Sequence, residues 1–218
     1  METTHYLIKN LDQFSYDLDA VEKLKNYLNY IEVVFPTIEE VFGQAWSDKQ
    51  INIELNDSTK NAAYERIGDS HVVKMGIYNK NIQKKYPENL WGCLFHETHH
   101  AFFNPIINDK IDRKIFNGGC EGEPFNFAFM ATTYLKLREK NIINAQFYEY
   151  FLNKLERELP SGAKNLFKEY VNMFSTNIEN FSKFISYLKS SLKLSNSIFI
   201  NRSNFRQDLN KAKEFLAN

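Results

Sequence analysis

Cysteine is scarce in this chain. Cys93 and Cys120 are the only two in 218 residues, too few for a disulfide scaffold. Long apolar runs are missing as well. None reaches the roughly 18 residues of a membrane-spanning helix, so no membrane partner is expected. An excess of one charge sign is absent: 27 Lys and Arg balance 27 Asp and Glu. Nucleic-acid binding, which calls for a basic stripe, is therefore not expected. The N-terminal residues Met1 to Tyr6 hold no basic segment followed by an apolar one. No secretory signal is read there, and a cytoplasmic protein is expected. Internal repeats and low-complexity segments are also lacking. What is present is material for a core: 43% of residues are hydrophobic, with 19 Phe and 12 Tyr. The length fits one large domain, 1–218, with a possible subdivision into 1–105 and 106–218.

Periodicity gives the order of elements. Leu18, Val21, Leu24, Leu28, Ile31 and Val34 recur at helical spacing, so an amphipathic helix is expected over 17–35. Asp17 or Asp19 caps it and Pro36 interrupts it. A short helix from Thr37 to Phe42 should stop at Gly43. Residues 50–56 alternate with period two and predict a strand. Residues 71–79 predict another, and 62–67 give a weaker strand signal. Pro87 marks a helix start, and Asn104-Pro105 a stop near Phe103. A further helix runs from about Cys120–Phe125 to Lys140, and three or four more follow over 141–218. The pattern is an α+β fold: a small sheet and the helix that starts at Pro87, then a mainly helical C-terminal half.

Within the helix expected at 87–103 stands His96-Glu97-Thr98-His99-His100, an H-E-x-x-H sequence. With five histidines in the chain, it would arise by accident in roughly one chain in a hundred. On a helix, His96 and His100 share one face a turn apart and can hold one Zn2+ ion. Glu97 lies about 100° further round, where it reaches a water rather than the metal. Two ligands, an open water position and a general base suit metal-assisted hydrolysis. Trp91, Phe95, Thr98 and Phe102 should form the buried side. His99 points away from the ligand face, toward the surface or a supporting position.

A catalytic zinc site usually has three protein ligands. Glu121 and Glu123 open the next helix, at a workable distance, and either carboxylate suits the metal. Acidic residues also favour first helical turns for the sake of the helix dipole, which accounts for one of the two.

H-E-x-x-H followed some twenty residues later by a helix-borne Glu resembles the gluzincin metallopeptidases, the group of thermolysin and the M1-type aminopeptidases. Cys120-Glu121-Gly122 is similar to the Glu-Gly pair of the M1-like branch. The resemblance covers roughly residues 88–135. It implies Glu121 as third ligand, with Glu123 as the alternative, and a zincin-like fold in which a twisted sheet packs on the active-site helix. The activity implied is hydrolysis of peptide bonds in peptides or proteins, with Glu97 as general base. An extended substrate would pair with an exposed strand edge, for which 71–79 is the candidate. Tyr134, Tyr148, Tyr150 and Tyr170 are available as oxyanion donors, although buried packing is the default for each. Cys93 and Cys120 are read as buried free thiols, against a redox switch at the metal. The competing readings are a zinc-containing binding protein without catalysis and a non-peptidase zinc hydrolase.

Overall fold

The computed structural model describes residues 1–46, 49–108 and 122–194, with Asn210, Lys211, Glu214 and Leu216. The fold is α+β, as the sequence predicts. The chain forms two units. One comprises 1–36 and 46–101, the other 37–45 and 102–218, and the divisions fall after Pro36, Ala45 and Ala101. Among the described residues, no helix is long and apolar enough to cross a membrane.

The first unit carries a four-stranded sheet: β1 (Tyr6–Ile8), β2 (Ile51–Asn56), β3 (Ala63–Ile67) and β4 (Ser70–Gly76). Their order is β1-β2-β4-β3. β1, β2 and β4 run parallel, and β3 is antiparallel to β4. The parallel step from β1 to β2 needs a long crossover, and the helix α1 (Leu18–Phe42) supplies it. β3 and β4 join through Gly68-Asp69, where Gly68 has φ 59°, the left-handed value that primed hairpin turns require. Alternation puts Tyr6, Ile8, Ile51, Ile53, Leu55, Val73 and Met75 on one buried face. Tyr6 meets Phe35 of α1 edge-on, with ring centroids 5.9 Å apart.

Two expectations about α1 are settled differently. Asp17 is the cap, its Oδ1 accepting from the Ala20 N–H at 3.0 Å. Pro36 does not interrupt the helix: α1 continues through it to Phe42. A proline removes one donor, and the rest of the helical ladder carries on past it. The stop at Gly43 is as predicted. Gly43 has φ 76°; its N–H bonds the Glu40 carbonyl and the Gln44 N–H bonds that of Glu39, each at 3.2 Å.

The second unit is helical: α3 (Gly122–Glu139), α4 (Ala145–Glu158), α5 (Ser161–Ser175) and α6 (Glu179–Leu194). From Pro124 to Leu135, α3 is buried on every side, as the central helix of a bundle is. Phe125 lies against Tyr170, Phe174, Phe181 and Phe184, at centroid distances of 5.3 to 6.3 Å. Lys136 and Lys140 both pair with Glu40 at the unit's surface, at 3.0 and 2.6 Å.

Candidate metal centre

The H-E-x-x-H segment lies on α2 (Cys93–Asn108). This helix begins later than Pro87 suggests. Residues 88–90 form a 3-10 turn, Trp91 is extended, and Gly92 and Cys93 have φ 64° and 50°. Consecutive left-handed residues cannot continue a right-handed helix, so α2 starts afresh at Cys93. Tyr27 of α1 satisfies the new terminus: its hydroxyl accepts from the Phe95 N–H at 3.2 Å and donates to the Gly92 carbonyl at 3.4 Å. The far end also differs from expectation. α2 passes through Pro105 to Asn108.

α2 is fixed to the sheet at two points. The Tyr6 hydroxyl of β1 bonds Thr98 Oγ1 at 2.7 Å, and Thr98 donates its own proton to the Leu94 carbonyl at 2.7 Å. Because the threonine has a single proton, Tyr6 is the donor. The second point is β3, where the Tyr64 N–H donates to Glu97 Oε2 at 2.8 Å.

From Cys93 to Phe102 the helix is buried around nearly its whole circumference. Leu94, Phe95, Thr98, His99 and Ala101 are inaccessible, and Glu97 is 7% exposed. From His96 to Ala101, only His96 and His100 are partly exposed. Their Nε2 atoms converge to 3.0 Å. Glu97 Oε1 lies 4.0 Å from His96 Nε2. One ligand atom from each of the three residues falls within 4.8 Å of the others; among the described residues no other group of this kind occurs.

The donor set fits zinc. Two imidazoles at zinc–nitrogen distances near 2.05 Å in a tetrahedral site stand about 3.3 Å apart, close to the arrangement here. The rings meet at 80° with centroids 4.6 Å apart, edge to face and not stacked. A turn of helix does this unaided, because residues i and i+4 project from the same face.

His99 belongs to the core and not to the surface. It is inaccessible, and its Nδ1 must carry the proton that bonds the Phe95 carbonyl at 2.8 Å. Burial pushes its pKa down to about 3, and neighbouring His96 and His100 act in the same direction. The ring is therefore neutral at ordinary pH. Cys93 is a free buried thiol whose pKa burial pushes up to about 12. Cys120 and Glu121 lie outside the described residues. Glu123 is in the first turn of α3 and exposed. Of the tyrosines, Tyr134, Tyr148 and Tyr170 are buried and Tyr150 is 40% exposed. Tyr134 stacks on Phe151 at 4.4 Å, which is the packing role taken as default.

The strand assigned to the substrate needs correction. β4, which overlaps 71–79, is an inner strand, paired with β2 on one side and β3 on the other. Its backbone groups are taken by those ladders. The edge beside Glu97 belongs to β3, the segment with the weakest strand signal. It is the strand that the sequence signals weakly over 62–67, joined to β4 through Gly68-Asp69. Tyr64 was not singled out from sequence, because main-chain N–H groups leave no mark on residue identity.

The chain matches no protein-family model, no curated protein and no solved structure.

Proposed function

We propose that this protein is a zinc-dependent peptidase of zincin-like fold and gluzincin type, hydrolysing peptide bonds in peptides or proteins. One observation carries the reading: the Nε2 atoms of two partly exposed histidines stand 3.0 Å apart with a carboxylate oxygen 4.0 Å from one of them, between buried neighbours on the helix. His96 and His100 hold the metal through Nε2. Glu121 is proposed as the third ligand on the sequence resemblance, with Glu123 as alternative. Zinc bound there supplies Lewis-acid polarisation of the scissile carbonyl and makes a water more acidic.

Glu97 does the proton work. Its Oε1 stands on the His96 side and takes the proton of the attacking water; the same carboxyl then gives it to the leaving amine. Oε2 is already engaged by Tyr64 and is not the working oxygen. The outward edge of β3 supports an extended substrate beside the site. In an antiparallel pair, residues alternate between facing the partner and facing away. The Tyr64 N–H faces away from β4, and Arg66, two residues on, has the same orientation. A peptide laid along this edge would pass Glu97 and pair by β-strand addition.

The decisive measurement is metal content together with hydrolysis of a mixed fluorogenic peptide library. Purified protein should bind about one zinc per chain. His96→Ala should lose both zinc and hydrolysis. If that variant keeps both, the reading is wrong. Glu121→Gln and Glu123→Gln, made separately, identify the third ligand by which one releases zinc.

A further inference from the structure

We propose that Tyr64 is a positioning residue for Glu97: its main-chain N–H, turned outward from the sheet edge, holds one carboxylate oxygen so that the other is presented beside His96. This rests on the peptidase reading and adds to it the group that sets the angle of the base.

A glutamate side chain has several freely rotating bonds, and a base is effective only when its oxygen sits within hydrogen-bond reach of the proton it removes. Here the two oxygens are made unequal. Oε2 accepts from Tyr64 at 2.8 Å, while Oε1 is the one 4.0 Å from His96 Nε2. The carboxylate is 91% buried, so a donor is needed in any case to offset its lost hydration.

The donor is itself held. The Tyr64 hydroxyl and His71 Nδ1 are hydrogen-bonded at 2.8 Å. His71 is 1% exposed and lies edge-on to Trp46 at 4.9 Å. Its carbonyl accepts from the Asn52 side chain of β2 at 3.2 Å. An edge strand is normally the loosest part of a sheet. This one is latched through the Tyr64 side chain to a core histidine, at the residue whose amide meets the base. Side chain and main chain of one residue thus serve two ends of a single connection, from Trp46 and His71 to Glu97.

The orientation allows a clean deletion. Because the Tyr64 N–H does not bond β4, Tyr64→Pro removes it without removing a ladder bond, and proline is tolerated in edge strands at such positions. Tyr64→Ala loses the same side chain and keeps the N–H. In zinc-loaded full-length protein, Tyr64→Pro should fall about a hundredfold below Tyr64→Ala in kcat, the scale of a small misplacement of a reacting group. KM and zinc content should match between the two. A purely structural role would instead lower the unfolding midpoint and shift KM with kcat. Equal kcat for the proline and alanine variants overturns the proposal.

Amide hydrogen exchange gives a second reading that needs no substrate and no proline. The Tyr64 amide should exchange at least tenfold faster in Glu97→Ala than in the wild type, with the Val73 amide unchanged; equal rates in the two proteins overturn the proposal. Should the wild type cleave no peptide, the positioning role falls together with the peptidase reading, whatever the exchange shows. If it cleaves peptides and the Tyr64 amide exchanges equally in both proteins, only the clamp is lost.

Discussion

Replacing Glu97 by glutamine separates the base role proposed for it from everything else α2 does. The two side chains are nearly the same size, and the surroundings dictate how the amide sits. Tyr64 offers an N–H at 2.8 Å and requires an acceptor, so the glutamine must turn its carbonyl oxygen there. Its NH2 then faces the His96 side, where Oε1 now lies 4.0 Å from Nε2. An amide nitrogen cannot take a proton. The variant keeps the helix, the Tyr64 contact and both imidazoles, and loses only the base. General-base catalysis contributes about 10² to 10⁴ in rate, so kcat should fall by that factor, about 3 to 5 kcal/mol of transition-state stabilisation. Zinc content measured by atomic absorption should stay at the wild-type level. The thermal midpoint should hold or rise, because a buried charge has gone. The assay is single-turnover cleavage of a library-derived peptide, which isolates chemistry from product release. A Glu97→Gln protein with full zinc and a rate within tenfold of the wild type would refute the assignment of the base. A variant that loses its zinc would show that Glu97 holds the metal instead.

The remaining predictions address binding and stability. His100→Ala should abolish zinc binding as His96→Ala does, since each supplies one of the two converging nitrogens; isothermal titration with zinc reads this directly, and retained affinity in either variant would count against the pair. Tyr6→Phe removes a buried donor from Thr98 and should cost about 1 to 2 kcal/mol in chemical denaturation, while zinc binding persists. An unchanged midpoint would mean that this bond does not tie β1 to α2. Cys93 should resist alkylation in the native protein at pH 8, because its pKa is pushed up to about 12 and no thiolate forms. The same shift makes stability fall with rising pH. The folded state keeps its proton while the unfolded thiol, with an ordinary value of 9.0, gives it up, so the loss begins near pH 9 and continues toward 12. Cys93→Ala should flatten that limb of the denaturation midpoint against pH, and an unaltered limb would assign it to another group.

Much of the site was legible from residue order because helical geometry is local. His96 and His100 converge for no reason beyond their spacing, and Glu97 falls beside them for the same reason. The N-cap at Asp17, the stop at Gly43 and the strand at β2 are also short-range features, each decided by a few neighbouring residues. Other elements were misread where a local signal competed with the rest of the chain. Pro36 and Pro105 are breakers in isolation, yet the helices on either side of each are continuous. Pro87 has the character of a helix start, but the left-handed pair Gly92-Cys93 postpones the helix to Cys93, a choice fixed by the packing of Tyr27 over its terminus.

By itself, then, the sequence determined the convergence of His96 and His100, the carboxylate of Glu97 beside them, the α+β composition and the helical second half, since all of these follow from periodicities of 3.6 and 2. Tertiary structure alone decided strand order, and with it that β3 is an edge strand and β4 is enclosed. It also decided that His99 is a core residue and that Glu97 is held by the amide of Tyr64. The physical reason is the same in each case: pairing between strands and hydrogen bonds from the main chain depend on which distant segments meet, and every residue carries the same amide whatever its side chain.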